Sequence, residues 1–599
     1  MDRKSIVILI ACFVLLMLWM PLVNKIFPPT RVPVATNAVA TAAGTNAPPV
    51  ARPEAASSTP TISAPAMPVD AWTPPAEPEE LLTISTAQAR YTFSSHGGGL
   101  KSVELTKYPE AVACGKKQRA ANTNRWARLN DKAPLPALAY LGGRELEDER
   151  PFTLTRTISG ARAQKTLANG AEVIKDFTLG TNHLVGATIR IINKSEQPMT
   201  LPAQELLVGT AAPLGLKDNG MLLGVQWYDG RKAEFIGEGW FANRFLGCFP
   251  GTPRTEFTSA GASNVAWAAV HNQFFTMIAA PAEPALRVVA RRIDLPPPTA
   301  AELAEEPGAV LKPHGYQTAL VYPAIVLPPG ASLERRVDLF AGPKEYNTLA
   351  QLPKDQDKAM NFTTFFGWFA RALLISMNGI HHLLGVQYGV AIIIITVIIK
   401  ALFWPLTQAS TRSMKRMAAL QPQMKAIQEK YKDDPKKMNL KLMEFMKENR
   451  VSPLGGCLPI LLQIPVFIGF YQMLQSAIEL RGARFLWACD LSQPDTVAYI
   501  FGFPINPLPL LMGATQFWQA RMTPPSPGMD PVQAKMMQYM PLIFIFILYN
   551  FSSGLALYWT VQNLISILQM KLTKNASPAA PAAAAPAGPA RPPVPKRKK

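Results

Sequence analysis

Lys400 is the residue of this sequence whose type and position point most directly to chemistry. It is the single charged residue in the stretch 391–404, where its neighbours are Ile, Ala, Val, Leu, Phe, Trp and Thr. Moving a lysine to the centre of a lipid bilayer costs roughly 2.5 to 3.5 kcal/mol. Such a charge indicates a functional site, unless the long side chain simply reaches the nearby membrane surface. Both interpretations stay open at this point.

Polar residues recur around this lysine at helical spacing. Thr396, Lys400 and Thr407 fall on roughly one face of a helix. The other apolar segments carry polar residues at comparable spacing, namely Gln463, Tyr471, Gln475, Gln516, Gln519, Tyr558, Gln562, Ser566 and Gln569. Amides inside a bilayer need partners, and each of them can serve only to join two helices. Several polar stripes beside one cation nevertheless favour a hydrophilic cavity that can hold the polar part of a translocating chain.

Six apolar segments have to position these residues. They are residues 6–23, 383–404, 458–478, 499–521, 536–550 and 554–570. Since a helix needs about 20 residues to cross a bilayer, we predict six transmembrane helices. The first segment can be a signal peptide or a spanning helix. No cleavage site of small residues closes it promptly, which favours an uncleaved signal anchor at residues 1–27.

The remaining chain divides by composition. Residues 28–80 are rich in Pro, Ala, Ser and Thr, which predicts a disordered linker. Residues 81–350 alternate apolar and polar positions between turn signals such as Asn169-Gly170 and Asp229-Gly230, which predicts an antiparallel β-sandwich domain. Residues 361–376 combine many aromatic residues with a few polar ones, which is typical of an amphipathic helix in the membrane interface. Residues 573–599 form a Pro/Ala-rich tail with a basic end, predicted to be disordered.

The distribution of basic residues predicts the orientation in the membrane. Residues 406–455 carry more basic than acidic side chains, and a turn at Asp433-Asp434-Pro435 predicts a helical hairpin there. Basic loops next to spanning helices stay in the cytoplasm, so six spans place both termini in the cytoplasm and the β domain outside. The candidate residues of the hairpin for contact with substrate or ribosome are Lys415, Arg416, Lys425, Lys436 and Lys437.

Several classes of site are disfavoured by the sequence. The net charge of +19 is concentrated beside apolar helices rather than in an aromatic-interleaved basic domain, so we expect no DNA partner, with ribosomal RNA as the one possible nucleic-acid contact. The five cysteines form no metal-site pattern, and neither a phosphate-binding loop nor a catalytic triad stands out. We therefore expect no metal, no cofactor and no enzymatic activity. Cys114 and Cys248 can pair if their domain is extracytoplasmic, but spacing does not decide it.

A set of short motifs follows one another in order along the last third of the chain. They are Pro405-Leu406-Thr407, Leu420-Gln421-Pro422, Pro453-Leu454-Gly455-Gly456-Cys457-Leu458-Pro459, Gln463-Ile464-Pro465, Glu479-Leu480-Arg481, Met540-Pro541 and Ser553-Gly554-Leu555 with Tyr558, Trp559 and Asn563. In this order, over residues 361–572, the sequence resembles the YidC family of membrane protein insertases.

The resemblance implies a fold and a function. The fold is a polytopic helical protein of the bacterial inner membrane, with a five-helix core at residues 377–572 and a periplasmic β-supersandwich domain. The function is insertion and folding of nascent membrane proteins, alone or with a Sec translocon, through a positively charged groove open to the lipid and the cytoplasm. Membrane lipids are a further expected partner, and the ribosome is expected as a partner only because the cytoplasmic hairpin and the tail are basic.

The resemblance also assigns the groove. By this resemblance its residues here are Lys400, Thr396, Tyr558 and Trp559, and the polar stripes described above add Gln463, Gln516 and Gln562. The family usually has arginine where this sequence has Lys400, so the charge is kept but bidentate binding of a carboxylate is lost. Trp559 stands where the family often has a second tyrosine.

Two other functions are compatible with a charged residue in a polar helical bundle. A secondary transporter or channel should show internal repeats or helix pairs broken by glycine, and the sequence shows neither. A periplasmic assembly factor that is merely anchored by its helices would leave the polar stripes without a purpose.

Overall fold

The computed structural model describes residues 25–26, 75–112, 114, 125–142, 146, 150–216, 218, 220–244, 251–305, 308–362, 366–449, 458–522 and 531–573. The chain forms two compact units. The β unit comprises residues 23–379 and 469–492, and the helical unit comprises residues 1–22, 380–468 and 493–599. The signal anchor, the linker and the C-terminal tail predicted above lie almost wholly outside the described residues.

Antiparallel sheets make up the β unit. The strands, numbered in chain order, are β1 (Leu81–Ser85), β2 (Ala89–Ser94), β3 (Gly99–Pro109), β4 (Trp126–Leu129), β5 (Tyr140–Leu141), β6 (Thr153–Arg156), β7 (Gly160–Thr166), β8 (Ala171–Leu179), β9 (Leu184–Asn193), β10 (Met199–Leu201), β11 (Gln204–Ala211), β12 (Gly224–Tyr228), β13 (Ala233–Gly237), β14 (Glu256–Thr258), β15 (Trp267–His271), β16 (Phe275–Pro281), β17 (Arg287–Asp294), β18 (His314–Tyr322), β19 (Ile325–Leu327) and β20 (Ser332–Pro343).

Two large sheets share one core. The first has the order β13-β12-β15-β16-β20-β9-β8-β7-β6, and the second has the order β14-β17-β18-β11-β5. Strands β11 and β18 of the second sheet pack on β15 of the first. The sequence of β9 shows how the strands contribute to this core. Every second residue of the strand, including Val185, Ile189 and Ile191, points to the buried face of its sheet. A smaller sheet β1-β2-β3-β4 adds Tyr91 and Phe93 to the same core.

Short helices and the main helices complete the chain. The short ones are α1 (Glu238–Ala242), α2 (Ala300–Glu305) and α3 (Tyr346–Leu349), with a 3-10 turn at Gln356–Met360. The main ones are α4 (Gly367–Leu384), α5 (Tyr388–Ala419), α6 (Gln421–Lys430), α7 (Pro435–Glu448), α8 (Leu458–Ser476), α9 (Pro507–Met522), α10 (Pro531–Leu548) and α11 (Ser553–Thr573). Among the described residues, one helix, Tyr388–Met417, has the length and apolar composition needed to cross a membrane.

The helix predicted at residues 361–376 lies further along the chain. Asn361 closes the 3-10 turn in a left-handed conformation with φ 56°, and α4 begins at Gly367. At the other end Gly385 has φ 63°, a left-handed conformation that ends a helix without strain for glycine alone. The helix therefore runs well past residue 376.

The span predicted at residues 499–521 is wrong in its first part. Strands β21 (Ala498–Ile500) and β22 (Phe503–Ile505) form a hairpin there, and α9 begins only at Pro507. Phe501 and Gly502 both have positive φ, which a right-handed helix does not allow. Apolar composition alone did not separate the hairpin from the helix.

A disulfide joins distant parts of the β unit. Cys114 pairs with Cys489, which lies 375 positions further along the sequence, and their Cα atoms are 5.5 Å apart. The pairing of Cys114 with Cys248 considered above is therefore wrong, because Cys114 already has its partner. Cys248 lies outside the described residues. The bond connects the region after β3 to the segment that follows α8.

Candidate functional site

Lys400 lies in the middle of α5 with its charge turned toward α11. Its side chain is almost fully buried, and its Nζ donates a hydrogen bond to the Ser566 Oγ over 2.8 Å. The Ser566 hydroxyl donates in turn to the carbonyl oxygen of Gln562 over 2.9 Å. The ammonium group is thus held inside the helical unit by a neighbouring helix, rather than serving only as a side chain that reaches the surface.

A second polar contact joins the same two helices further along α5. The Gln569 side-chain amide donates to the Trp404 carbonyl oxygen and to the Thr407 hydroxyl. Thr407 also donates to the Phe403 carbonyl oxygen within its own helix over 3.0 Å. Two of the predicted polar stripes therefore meet along one seam between α5 and α11.

Thr396 does not contribute a free hydroxyl to this seam. It is 1% exposed, and its Oγ1 donates to the Ile392 carbonyl oxygen one turn back over 2.7 Å. A threonine in this arrangement satisfies its own hydroxyl within the helix. Its position next to Lys400 on one face is as the helical spacing predicts, but its hydrogen bond goes to the backbone of α5.

The N-terminal half of α11 faces α8. Tyr558 is 1% exposed, and its hydroxyl interacts with the side chain of Gln463. The neighbouring Trp559 ring meets the Phe467 ring edge-on, with ring centroids 4.8 Å apart. Three of the predicted groove residues are thereby brought together at the contact between α8 and α11.

Gln516 lies on α9, where α9 packs on α11. Its amide oxygen is buried and has no hydrogen-bond partner within the part of the chain that the structure describes. From α11, the Asn563 amide donates to the Thr515 hydroxyl over 3.3 Å and to the Met512 carbonyl oxygen over 3.4 Å, both on α9. Gln516 therefore offers an acceptor inside the helical unit, whereas its neighbour Thr515 is already bonded.

Helix α11 is the element that the predicted groove residues share. Lys400 reaches it from α5, Gln463 from α8, and Thr515 beside Gln516 from α9. The Lys400 ammonium donates to Ser566 of α11. Helical spacing relates residues within one helix only, so the sequence indicated these residues as one set without showing that α11 is the element they share.

The basic residues of the helical hairpin point outward. Arg416, Lys425, Lys436 and Lys437 are exposed, and Lys415 is half-buried. The Asp434 carboxylate accepts from the Lys437 backbone N–H over 3.0 Å and caps α7 at the turn. The hairpin thus displays positive charge on both of its helices.

Glu479, the first residue of the Glu479-Leu480-Arg481 motif, is half-buried in the β unit, with its carboxyl group turned inward. Its Oε1 accepts from the Asn378 amide of α4 over 2.7 Å, while its Oε2 is buried with no partner among the described residues. Burial raises the pKa of the Glu479 carboxyl to about 7. Two residues on, Arg481 donates to the Glu110 carbonyl oxygen over 2.9 Å and lies over the Phe275 ring. The Glu479-Leu480-Arg481 motif thus holds α4 and the region after β3 together.

Known proteins match both parts of this architecture. The family model described as 60Kd inner membrane protein matches residues 379–580, and the model described as YidC periplasmic domain matches residues 81–375. A membrane protein insertase YidC of Syntrophus aciditrophicus (strain SB) is 31% identical over 594 residues, covering 95% of this chain and 98% of the relative. The chain belongs to the YidC family of membrane protein insertases.

A second relative and a solved structure are also similar to this chain. A membrane protein insertase YidC of Pelobacter propionicus (strain DSM 2379 / NBRC 103807 / OttBd1) is 32% identical, covering 91% of this chain and 95% of the relative. A solved structure described as an active YidC insertase with its first transmembrane domain resolved covers 85% of this chain at 17% identity, with a TM-score of 0.33.

Membership of the YidC family gives the biochemical role. The protein is a membrane protein insertase of the inner membrane, as its sequence motifs had led us to expect. Its architecture is that of a YidC protein, with a β-rich domain followed by a helical region. Its relatives are insertases rather than catalytic enzymes.

Proposed function

We propose that this insertase receives the polar part of a nascent membrane protein beside Lys400, in a groove formed by Lys400, Thr396, Gln463, Gln516, Tyr558, Trp559 and Gln562. The observation that supports it is the buried Lys400 ammonium, held by Ser566 on α11. A buried positive charge attracts an acidic or polar terminus into a region of low dielectric, where charge interactions are strong. The polar terminus then has a shorter apolar path to cross.

The groove works by position and electrostatics. The Gln516 amide oxygen supplies a buried acceptor for a backbone N–H of the substrate. The apolar part of the substrate remains in lipid beside α8 and α10, where burial of its side chains favours insertion. No phosphate-binding loop occurs in the sequence, so the proposal includes no nucleotide-driven step.

We place the spans and domains as the charge pattern predicts. A signal anchor at 1–27, a linker at 28–80 and five core helices within 377–572 give six spans, with both termini cytoplasmic and the β-supersandwich of residues 81–350 in the periplasm. The disulfide between Cys114 and Cys489 supports this, since disulfides persist in oxidising compartments. It also fits the count of spans, because both cysteines then lie on the periplasmic side.

The basic hairpin at 406–455 is then cytoplasmic. Its exposed Lys and Arg side chains suit contact with ribosomal RNA and with acidic segments of a substrate before insertion. A Sec translocon is the proposed partner for substrates with large translocated domains, and the basic tail at 573–599 is a second ribosome contact.

The groove is tested by substituting Lys400 in proteoliposomes. The substrate is a short single-span protein with an acidic tail, and insertion is measured by protection of that tail from protease. We expect Lys400→Ala to lower insertion several-fold and Lys400→Arg to retain most of it. Val397→Ala, at a half-exposed position on the same helix, is the matched control. Normal insertion by the Lys400→Ala variant at equal protein amount removes Lys400 from the mechanism.

The orientation is tested separately with a membrane-impermeant thiol reagent. Cys12, Cys248 and Cys457 are replaced by serine, and single new cysteines are introduced at Ile158, an exposed residue of the β unit, and at Lys425 on α6. In intact spheroplasts we expect labelling at position 158 and none at position 425 until the membrane is opened. The reverse pattern overturns the proposed orientation without bearing on the groove.

A further inference from the structure

The hairpin between α8 and α9 is a feature that the insertion mechanism does not use. Strands β21 and β22 pair through Ala498↔Ile505, Tyr499↔Pro504 and Ile500↔Phe503. This register leaves two residues, Phe501 and Gly502, at the turn. The hairpin belongs to the helical unit and is followed, after Asn506, by the first residue of α9.

The turn carries a residue that its backbone geometry disfavours. Phe501 has φ 51° and Gly502 has φ 79°, so both central positions are left-handed, as in a type I′ turn. Such turns favour Asn-Gly, because asparagine tolerates the left-handed region and phenylalanine does not. The Phe501 side chain is also fully exposed at 105%. Backbone strain and exposure of a large aromatic ring thus fall on one residue, and neither helps the chain to fold.

The rest of the hairpin presents apolar side chains as well. Its exposed large residues, all more than half exposed, are Val497, Tyr499, Ile500 and Phe503. The sequence has no Asp, Glu, Lys or Arg from residue 496 to residue 520. The uncharged surface of the hairpin therefore continues without interruption into the apolar helix α9.

The base of the hairpin is fixed to the turn between α10 and α11. The Tyr549 hydroxyl donates to the Pro504 carbonyl oxygen over 2.6 Å, and the Asn506 amide donates to the Tyr549 carbonyl oxygen over 2.9 Å. The rings of Phe503 and Tyr549 lie 5.1 Å apart between centroids. These contacts hold the base in place, so that the tip projects in a defined direction instead of folding back onto the protein.

We propose that the hairpin of residues 498–505 inserts its aromatic tip, Phe501 with Tyr499, into the lipid bilayer at the membrane surface where α8 ends and α9 begins. Tyrosine is enriched at the boundary between headgroups and acyl chains, and phenylalanine is one of the apolar side chains that segments lying in this boundary bury there. In lipid, the exposure of Phe501 becomes burial of apolar surface, which offsets the strain of its backbone.

Lipid is favoured over a protein strand as the occupant. Pro504 has no backbone N–H. In this register an N–H at position 504 would point away from β21, toward the outer edge of β22. A strand added at that edge would therefore lack a hydrogen-bond donor. The hairpin is also continuous with α9, whose own exposed residues include Leu510 and Leu511. Because Tyr549 ties the hairpin to the end of α10, the inserted tip sets the depth of the α10–α11 turn in the membrane.

The test is a depth measurement with nitroxide spin labels on the full chain. Cys12, Cys248 and Cys457 are replaced by serine, the disulfide is left intact, and the protein is reconstituted in vesicles of phosphatidylethanolamine and phosphatidylglycerol. Labels at Phe501→Cys and Tyr499→Cys are compared with Ile158→Cys, an equally exposed apolar position of the β unit. The readout is collision with oxygen, which concentrates in lipid, relative to collision with a water-soluble nickel chelate.

We expect a high ratio of oxygen to nickel collisions at positions 501 and 499, and a low ratio at position 158. A low ratio at 501 and 499 shows that the tip is in water and overturns the proposal. Protection of both positions from oxygen and from nickel shows that protein covers the tip, such as a second copy of the chain, and also overturns it.

Two further variants keep the outcome interpretable. Phe501→Asn creates the favoured Asn-Gly turn, so the hairpin stays folded while the aromatic anchor is lost, and we expect the label at 499 to shift toward water. An unchanged depth at 499 overturns the anchoring role of Phe501. A label at Leu510→Cys reports whether α9 lies in lipid. If the label at 510 is in lipid and the label at 501 is in water, this inference alone is overturned. If the label at 510 is in water, the proposed spans are overturned.

Discussion

The Lys400 ammonium lies 2.8 Å from the Ser566 hydroxyl oxygen, so a side chain of α11 accepts a hydrogen bond from the buried charge of α5. The lysine ammonium is a compact charge with three N–H donors, and Ser566 accepts from one of them. An arginine at this position would bring a planar fork of donors, which one serine hydroxyl cannot match. The seam between α5 and α11 thus offers Lys400 a hydroxyl acceptor from the neighbouring helix.

Removing that acceptor is expected to destabilise the helical unit. Ser566→Ala leaves a buried ammonium with one hydrogen bond fewer, at a cost of about 1 to 3 kcal/mol. We expect a lower thermal unfolding midpoint of the protein in detergent. Leu568→Ala, at an exposed position two residues along the same helix, should change the midpoint little. Equal midpoints for both variants would show that the Lys400–Ser566 bond contributes nothing measurable.

Glu479 is expected to make stability depend on pH. Its pKa in the folded protein is about 7, raised from 4.5 by burial, so folding favours the protonated acid. The resulting stabilisation is complete below pH 4.5 and is lost as the pH rises through 7. The shift corresponds to about 3 kcal/mol at most. Glu479→Gln retains an acceptor for Asn378 but carries no proton equilibrium, so it should be more stable than the wild-type protein at pH 8 and similar to it at pH 4.5.

The measurement is the difference in unfolding midpoint between the two proteins across this pH range. Taking the difference removes the contributions of other titrating groups, such as His271, whose pKa is lowered by burial to about 3. A constant difference from pH 4.5 to pH 8 would show that Glu479 does not titrate in this range.

The disulfide is expected to hold distant segments together covalently. Cleavage of the chain by protease between Cys114 and Cys489 should leave the two fragments joined on a non-reducing gel and separate them after reduction. Cys114→Ser should abolish the link and lower the unfolding free energy of the β unit by roughly 2 to 5 kcal/mol. Cys248→Ser is the matched control and should change neither result. Fragments that separate without reductant contradict the Cys114–Cys489 pairing.

Gly513 is expected to be required for close packing of α9 on α10. A Cβ atom at this position would overlap the Ile545 side chain, so a methyl group there forces the isoleucine out of its place. We expect Gly513→Ala to cost about 1 to 3 kcal/mol, as overpacking does. Combining it with Ile545→Ala, which makes room, should recover part of the loss in thermal stability. A double variant as unstable as the sum of the two single variants would show that the two residues do not interact.

Local patterns in the sequence were sufficient to predict whether most elements are helices or strands. Alternation of apolar residues predicted strands such as β9, because a strand places every second side chain on the buried face. The pair Asp434-Pro435 predicted the turn before α7, since proline fits the first turn of a helix and the aspartate caps it. The series of short motifs was enough to indicate the insertase family, which the family models and the relatives confirm.

Local patterns failed where two apolar structures follow each other. Residues 498–505 and α9 are equally free of charge, so composition merged the hairpin with the helix. The left-handed backbone of Phe501, which separates them, is stabilised by contacts of the hairpin with Tyr549 and could not be read from a phenylalanine in sequence.

By itself, the sequence determined which residues are polar inside apolar segments, whether most segments form helices or strands, with the exception of residues 498–505, and that Lys400 is the charge to explain. Only the tertiary structure decided their partners: Ser566 for Lys400, Asn378 for Glu479 and Cys489 for Cys114. The physical reason is that periodicity relates residues along one element, whereas these pairs are 101 to 375 residues apart and meet only when separate elements pack together.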